Sequence, residues 1–403
     1  MKITLVLFSA LYVLSTQAQI LTKEDSLNAG LIKSPNTTVI SGYGSVKYKY
    51  QTREKIAHAN LDRVVLFLGH KFSNKISFFS ELEVEDAKVT GGEVGGEVAL
   101  EQAFLKFDIN KNIYVVAGLF IPRIGIINEN HLPNTFNGND RPFLESLIIP
   151  STWREIGVGL YGNLNSIPGL NYSVGLVNGL NSAGFENGTG IRGGRFEGRN
   201  ANASAIAVTG SLLYYIQNFR IQASGYYGGS AGLTKREADS LLLSYGSFGT
   251  PVALAEADMQ YNHKGFSVKA LYTIVNISDA QKINRAYANN TPQVMTGYYC
   301  ELGYDILKFF KTTDKNLTVF ARYENLNMNH KLPKNGIYNG TLNQQFVVGG
   351  ITFKPIKGVT IKADYIFKET GERNPALVVT PFPQSLPYFK KQGFFSLGLG
   401  YSF

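Results

Sequence analysis

The sequence predicts an all-β protein, a sixteen-stranded antiparallel transmembrane β-barrel with one connection folded inward. Three features support this class: alternation of apolar and polar residues, connections that are short and long in turn, and an aromatic C-terminal strand. Successive side chains of a strand point to opposite faces, so an alternating segment has one apolar face. The alternating segments are of the length, about 9–11 residues, that a tilted strand needs to cross a bilayer.

The N-terminus has the pattern of a secretory signal peptide. Lys2 precedes an apolar run that ends in small residues near Ala18, which is typical of an exported protein. We expect residues 1–18 to be the signal peptide, 19–37 a periplasmic tail and 38–403 the barrel. The apolar run is shorter than the roughly 18 residues that a transmembrane helix requires.

The last strand shows the membrane pattern most clearly. Large apolar residues alternate there with Ser and Gly, namely Phe395, Leu397, Leu399, Tyr401 and Phe403. Lipid outside and a lumen inside would produce this distribution. The strand resembles the closing strand of bacterial outer-membrane barrels, whose final Phe, here Phe403, is part of the signal read by the assembly machinery. We therefore expect a location in the bacterial outer membrane.

Sixteen alternating segments follow from Thr38 onward, an even number as single-chain bacterial barrels require. The predicted short turns are at 72–75, 110–112, 162–169, 217–218, 262–265 and 355–358. The predicted long connections are near 85–100, 122–153, 178–204, 229–251, 276–296, 326–344 and 369–391. This asymmetry indicates periplasmic turns and extracellular loops. A soluble β-sandwich, the alternative, has no reason to sort its loops by length.

Aromatic residues near strand ends are expected at the two membrane interfaces, where the ring and the hydroxyl find different surroundings. The candidates are Tyr43, Tyr48, Tyr172, Tyr272, Tyr304, Tyr365 and Tyr401. A closed sheet is required because lipid offers no hydrogen-bond partner to an open strand edge. In the outer loops, Thr234 followed by helix formers up to Leu243 predicts one or two helical turns.

Several blocks resemble the phosphate-selective porin O and P family. They are Leu61–Gly69, Glu101–Phe107, Ala117–Gly125, the step Glu145-Ser146, and Arg154–Gly162. The family step has an Arg that is absent between Glu145 and Ser146, and Arg123 replaces its usual aromatic residue. The resemblance implies a homotrimeric channel whose third extracellular loop, here residues 122–153, narrows the lumen.

The predicted constriction carries equal numbers of cations and anions. They are Arg123, Arg141 and Arg154 against Glu129, Asp140 and Glu145. Opposed basic and acidic rims would produce a transverse field that suits small polar solutes of either sign. The alternative is that these charges pair with one another or with the barrel wall.

The predicted lumen wall is also balanced or slightly acidic, although the whole chain has a formal charge of +9. The nine wall cations are Lys47, Lys49, Arg63, Lys106, Arg220, Lys269, Arg322, Lys362 and Lys368. At least as many carboxylates share that face, and much of the excess Lys lies in the turns. Charge alone therefore does not predict phosphate specificity.

The sequence does not predict an enzyme or a cofactor site. The five His residues are isolated in the sequence: His58, His70, His131, His263 and His330. None has a His or a carboxylate at metal-ligand spacing on a shared face, so no metal site is expected. An exported barrel is also not expected to bind nucleic acid, despite a pI of about 9.2.

The predicted function is that of an outer-membrane porin for passive diffusion of small hydrophilic solutes or ions. An anion- or phosphate-selective channel is the alternative. A less favoured hypothesis is an adhesin or assembly partner acting through loops 178–204, 276–296 and 369–391. The expected partners are outer-membrane lipid and lipopolysaccharide, the barrel assembly machinery and two further copies of the chain.

Overall fold

A computed structural model describes residues 37–85, 97–201, 203–310, 314–377 and 388–403. The predicted signal peptide and nearly all of the predicted periplasmic tail lie outside the described residues.

Sixteen antiparallel strands form one closed barrel in the described residues, which confirms the predicted all-β, sixteen-stranded antiparallel barrel. Each strand pairs with its neighbours in sequence, and β1 pairs with β16. The first eight are β1 Thr38–Gln51, β2 Ile56–Lys71, β3 Ile76–Glu85, β4 Glu97–Asp108, β5 Ile113–Phe120, β6 Glu155–Asn163, β7 Leu170–Asn178 and β8 Ile206–Ile216. The others are β9 Phe219–Gly228, β10 Val252–His263, β11 Phe266–Ile277, β12 Val294–Asp305, β13 Asn316–Lys331, β14 Asn343–Ile356, β15 Val359–Thr370 and β16 Lys391–Ser402.

Short helices lie in the connections. The α-helices are α1 Phe143–Leu147, α2 Lys235–Leu241 and α3 Ala280–Tyr287, and 3-10 turns cover Ser182–Gly184, Gly190–Gly194, Ile306–Phe309, Gly340–Leu342 and Pro375–Leu377. Helix α2 was predicted, and Thr234 and Glu237 form its capping box. None of the described helices combines the length and the hydrophobicity that a transmembrane helix needs.

The barrel closes where its two terminal strands meet. Val46 lies opposite Leu399 and Tyr48 opposite Leu397. At the end of this pair, Gly42 and Phe403 exchange two backbone hydrogen bonds, of 3.1 and 2.9 Å. Closure therefore leaves no unpaired sheet edge among the described strands, as a lipid environment demands. The Phe403 side chain is exposed, and its role as an assembly signal stays a prediction.

Side chains alternate between an apolar outer surface and a buried inner surface. Leu66 and Leu397 are 46% and 45% exposed, whereas Val65 and Ser396 are 2% and 0% exposed. Rows of exposed leucines around a closed sheet are what a lipid solvent stabilises. Tyr43 departs from the prediction: it is buried on the inner face, where its hydroxyl donates to Glu101 Oε2 at 2.8 Å. Its assignment to a membrane interface is therefore wrong.

Connection lengths follow the predicted asymmetry with three exceptions. On the side of the short turns, the ten residues 306–315 join β12 to β13. On the side of the long connections, residues 52–55 join β1 to β2 in a short turn. The connection predicted at 326–344 shrinks to 332–342 because β13 runs on to Lys331. Strands of a barrel can continue their hydrogen bonding beyond the lipid into water, where alternation of polarity is no longer required.

Two β-bulges change the register near one end of the sheet. Ser45 pairs with Arg63 and Val46 with Leu61, which leaves Asp62 as an extra residue in β2. In β4 the extra residue is Glu101. A bulge places two consecutive side chains on one face, so both of these extra carboxylates face inward. Strict alternation of side chains along β4 would have placed Glu101 on the outer, lipid-facing surface of the barrel.

Candidate functional site

The connection between β5 and β6, residues 121–154, contacts strands on opposite sides of the barrel. Asp140 binds Lys47 of β1 at 2.9 Å, whereas the Gly125 N–H donates to Glu256 of β10 at 3.3 Å. Further bonds join the connection to β13, β15 and β16: Leu144 N–H to Glu324, Asn139 N–H to Asp364, and Asn134 Nδ2 to Ser402. In a ring of sixteen strands, β1 and β10 lie nearly opposite each other.

One side of this connection is apolar and packs against the inner wall. The side chains of Ile124, Leu144, Ile148 and Trp153 are 0% exposed. Trp153 packs against Tyr226 of β9, with ring centroids 4.8 Å apart and ring planes tilted by 39°. Burial of each such side chain contributes about 1.5–3 kcal/mol. This cluster was not predicted from the sequence. The apolar residues scattered through the otherwise polar connection were a signal that one side of it is buried.

Most of the predicted wall cations bind this connection or a neighbouring carboxylate. Lys362 donates to the carbonyl oxygens of Phe136 and Gly138, each at 2.8 Å. Lys269 donates to the Thr135 carbonyl oxygen at 3.3 Å. The remaining ion pairs are Arg322 with Glu301 and Glu324, Arg220 with Asp258, and Lys106 with Asp108. Of the nine, Lys47, Lys49 and Arg63 also line the cavity described below.

Three of the six predicted constriction charges lie away from that cavity. Arg123 Nε binds Glu129 Oε2 at 3.0 Å, and both side chains are nearly fully buried. Glu145 is 0% exposed and accepts hydrogen bonds from the N–H groups of Ile126 and Ile127 and from the Tyr299 hydroxyl. The charges of these three residues are therefore bound to other groups inside the protein and do not face the cavity.

The other three, Asp140, Arg141 and Arg154, line a cavity of about 530 Å³ between the connection and strands β1–β4. Its other charged lining residues are Lys47, Lys49, Asp62, Arg63, Glu83, Glu85, Arg192, Arg195 and Glu197, with His131 beside them. Arg192 and Arg195 come from the connection after β7, which sequence reasoning treated as an outer loop. The two bulges contribute Asp62 and help to orient Arg63.

The charges around the cavity differ in how strongly they are held. Burial alone would raise the pKa of Asp140, but Lys47 and Lys49 outweigh burial and lower it to about 2. Burial, followed by repulsion from Arg63, lowers the pKa of Arg141 to about 10. The Arg141 guanidinium contacts the His131 carbonyl oxygen at 3.5 Å and forms no ion pair with any described carboxylate.

Burial of Glu145 makes the stability of this region pH-dependent. Burial raises its pKa from 4.5 to about 7, against the opposing effect of its hydrogen bonds. Gly125 allows this arrangement, because it has a φ of 77° and a Cβ there would lie 2.7 Å from Glu145 Oε2. A carboxyl group with a raised pKa in the folded state stabilises the fold fully below pH 4.5, and the contribution is lost as pH rises through 7.

Glu145→Gln should remove this pH dependence. Between pH 4.5 and 8 we expect the free energy of unfolding of the wild type to fall relative to the variant by on the order of 3 kcal/mol. Urea unfolding of the barrel in lipid vesicles at both pH values measures the difference. Glu54→Gln, in an exposed turn, is the matched control and should track the wild type. Parallel pH profiles for the wild type and Glu145→Gln would contradict the assignment.

No protein-family model matches the chain. An uncharacterized protein of Aquifex aeolicus (strain VF5) is 30% identical over 347 residues, which cover 83% of this chain and 76% of that protein.

Three solved structures are similar in fold. OmpF of Salmonella typhi in complex with daunomycin has a TM-score of 0.55 at 11% identity and covers 92% of this chain and 98% of its own. The anion-selective porin from Comamonas acidovorans has a TM-score of 0.54 at 10% identity, covering 91% and 100%. OmpT of Vibrio cholerae in its trimer form has a TM-score of 0.52 at 11% identity, covering 92% and 100%. The chain therefore has the fold of outer-membrane β-barrels.

Proposed function

The chain belongs to the same family as the uncharacterized protein of Aquifex aeolicus, and with this relationship and the barrel geometry as premises we propose that it is a porin-like channel of the bacterial outer membrane. It passes small hydrophilic solutes or ions by diffusion. The observation that carries the proposal is the charged cavity of about 530 Å³ beside β1–β4. The connection 121–154 acts as the constriction because it fills the opposite part of the lumen with apolar side chains.

Solutes in this proposal pass along one side of the lumen. Strands β1–β4 supply one wall of the path, and Asp140, Arg141 and Arg154 supply the other. Because the cavity is lined mainly by ionisable groups, it favours hydrated and charged solutes over apolar ones. The buried pairs of the lumen, such as Arg123 with Glu129, hold the constriction in place instead of meeting the solute.

Anion selectivity is the second candidate, and the charge count of the cavity favours it. Seven cationic side chains line the cavity, counting Arg192 and Arg195, against five carboxylates. The arginines bring fixed positive charge to a narrow space, which raises the local concentration of anions. Phosphate specificity in particular rests only on the resemblance of the sequence blocks to the porin O and P family.

Arg141 is the cation whose removal should change selectivity most, since it lines the cavity without a carboxylate partner among the described residues. Arg141→Ser should move the reversal potential in a KCl gradient toward the cation side. Lys264→Ser removes one positive charge from an exposed turn and should leave the reversal potential unchanged. If the wild type, Arg141→Ser and Lys264→Ser have equal reversal potentials, Arg141 does not line the solute path.

Conductance measurements on the wild type test whether the protein is a channel and how selective it is. An open channel with weak selectivity supports the porin, and a reversal potential near the anion limit supports the selective channel. A correctly folded barrel that does not conduct would overturn both and favour the adhesin or assembly role. Competition of chloride current by phosphate addresses the phosphate hypothesis directly.

We also propose a homotrimer in the outer membrane, assembled by the barrel assembly machinery and surrounded by lipid and lipopolysaccharide. The trimer form of the Vibrio cholerae OmpT structure and the closed barrel support this assembly. Light scattering of the detergent-solubilised protein should give three chains per particle. A monomeric particle would contradict the trimer and leave the channel proposal intact.

A further inference from the structure

Four side chains converge where the connection 121–154 meets β3 and β4. His131 Nε2 lies 3.3 Å from Glu101 Oε2 and 3.9 Å from Glu81 Oε2. It also lies 2.9 Å from the Tyr43 hydroxyl. One ligand atom from each of Glu81, Glu101 and His131 falls within 4.8 Å of the others. These are nitrogen and oxygen donors of the kind that bind divalent transition metals.

The orientation of His131 is set by its other ring nitrogen. Nδ1 lies 3.1 Å from the Asn128 carbonyl oxygen, so Nδ1 carries a proton and donates it there. Asn128 is itself held, because its side chain donates to the Pro122 carbonyl oxygen at 2.9 Å and accepts from the Trp153 N–H at 2.6 Å. A backbone carbonyl on one imidazole nitrogen is the usual arrangement when the other nitrogen binds a metal.

The carboxylates are also positioned by their neighbours. The β4 bulge turns Glu101 inward, and its Oε1 accepts from the Thr152 hydroxyl at 2.9 Å, which leaves Oε2 toward His131. Glu81 Oε2 accepts from Gln102 at 3.1 Å. Arg63 lies 4.0 Å from Glu101 Oε1, on the oxygen that faces away from His131. Each ligand therefore has a supporting partner, although the Tyr43 hydroxyl and Gln102 donate to the ligand oxygens themselves, Glu101 Oε2 and Glu81 Oε2.

We propose that Glu81, Glu101 and His131 form a site for a divalent transition metal ion of the zinc class. Bonds of about 2.0–2.1 Å in a tetrahedron place neighbouring ligand atoms roughly 3.3 Å apart, close to the spacing of His131 Nε2 and Glu101 Oε2. Glu81 Oε2, now 3.9 Å from His131 Nε2, has to move closer by roughly 0.6 Å to reach the same spacing. Tyr43 or water completes the coordination.

The ion has a path of entry, because His131 lines the charged cavity. Once bound, it links the connection, through His131, to β3 through Glu81 and to β4 through Glu101. Without the ion, the same carboxylates are held by hydrogen bonds from the Tyr43 hydroxyl to Glu101 and from Gln102 to Glu81. A direct binding measurement separates the two arrangements. The inference does not depend on whether the barrel conducts.

Titration of the folded full-length barrel in detergent with ZnCl₂, against a chromophoric zinc chelator, tests the proposal. We expect one high-affinity Zn²⁺ per chain. His131→Ala and Glu81→Gln should each weaken the affinity by roughly tenfold or more. X-ray absorption at the zinc edge should show nitrogen and oxygen ligands only.

His263→Ala is the matched control, because His263 is exposed at the end of β10; its zinc affinity should equal that of the wild type. Heat-modifiable mobility on gels shows which variants are folded, and Glu81→Gln keeps the test decisive if His131→Ala does not fold. The proposal is overturned if the wild type binds no Zn²⁺. It is equally overturned if folded Glu81→Gln or His131→Ala binds Zn²⁺ as tightly as the wild type.

Discussion

Removing residues 128–148 and joining the ends with a short Gly–Ser linker should increase the single-channel conductance by roughly twofold or more, because a wider aqueous path replaces a filled one. This segment holds α1, the hydrogen bonds to Glu324 and Asp364, and the ion pairs of Asp140 with Lys47 and Lys49. Its contacts reach strands on opposite sides of the barrel. Planar-bilayer recordings measure the change.

The matched control removes Lys235–Leu241, the α2 helix, which does not line the charged cavity. Its conductance should stay close to that of the wild type. Both variants should retain heat-modifiable mobility, since all sixteen paired strands lie outside the two deleted segments. If removal of 128–148 leaves conductance unchanged, the segment does not restrict the solute path, and the constriction in our proposal must be abandoned.

Leu66→Arg should damage membrane insertion far more than Thr318→Arg. Leu66 is 46% exposed on the outer face, opposite Leu82 of β3, where lipid surrounds it. An arginine there costs about 2–4 kcal/mol at mid-depth, and less near an interface. Thr318 shares its face with Arg322 and Glu324, and its hydroxyl donates to Asn316 at 3.0 Å. An arginine at this inner position remains among polar groups.

Folding yields in liposomes, followed by urea titration, measure the difference between the two variants. The Leu66→Arg barrel should unfold at lower urea concentration or fail to insert, and Thr318→Arg should behave nearly as the wild type. Similar stabilities for the two variants would mean that the inner and outer faces of the sheet are assigned incorrectly.

Strand number and facing were predictable because each depends on a short-range pattern. A residue on a membrane barrel strand meets either lipid or the lumen, so the alternation in β16 and in its neighbours reads directly as an outer and an inner surface. The capping box of α2 is likewise local, since Thr234 and Glu237 are three residues apart. These features need no knowledge of distant parts of the chain.

The functional site depended on features with no local signature. A bulge is visible only in the pairing of two strands, so the inward positions of Asp62 and Glu101 could not be read from alternation. For the same reason the partners of Tyr43 were missed. Arg192 and Arg195 approach the cavity from a connection far along the chain, and Lys362 is bound by carbonyl groups more than two hundred residues away.

The sequence by itself determined a closed sheet of sixteen strands with an apolar exterior, because lipid imposes the same requirement on every strand. Only the tertiary structure decided which charges meet open space and which are buried in pairs. The interior of the barrel is shared by the wall and by chain segments that cross it, so the environment of an inner residue depends on what packs against it there. Arg123 and Arg141 have the same chemistry and lie in the same connection, yet one is paired inside a packed interior and the other faces the cavity.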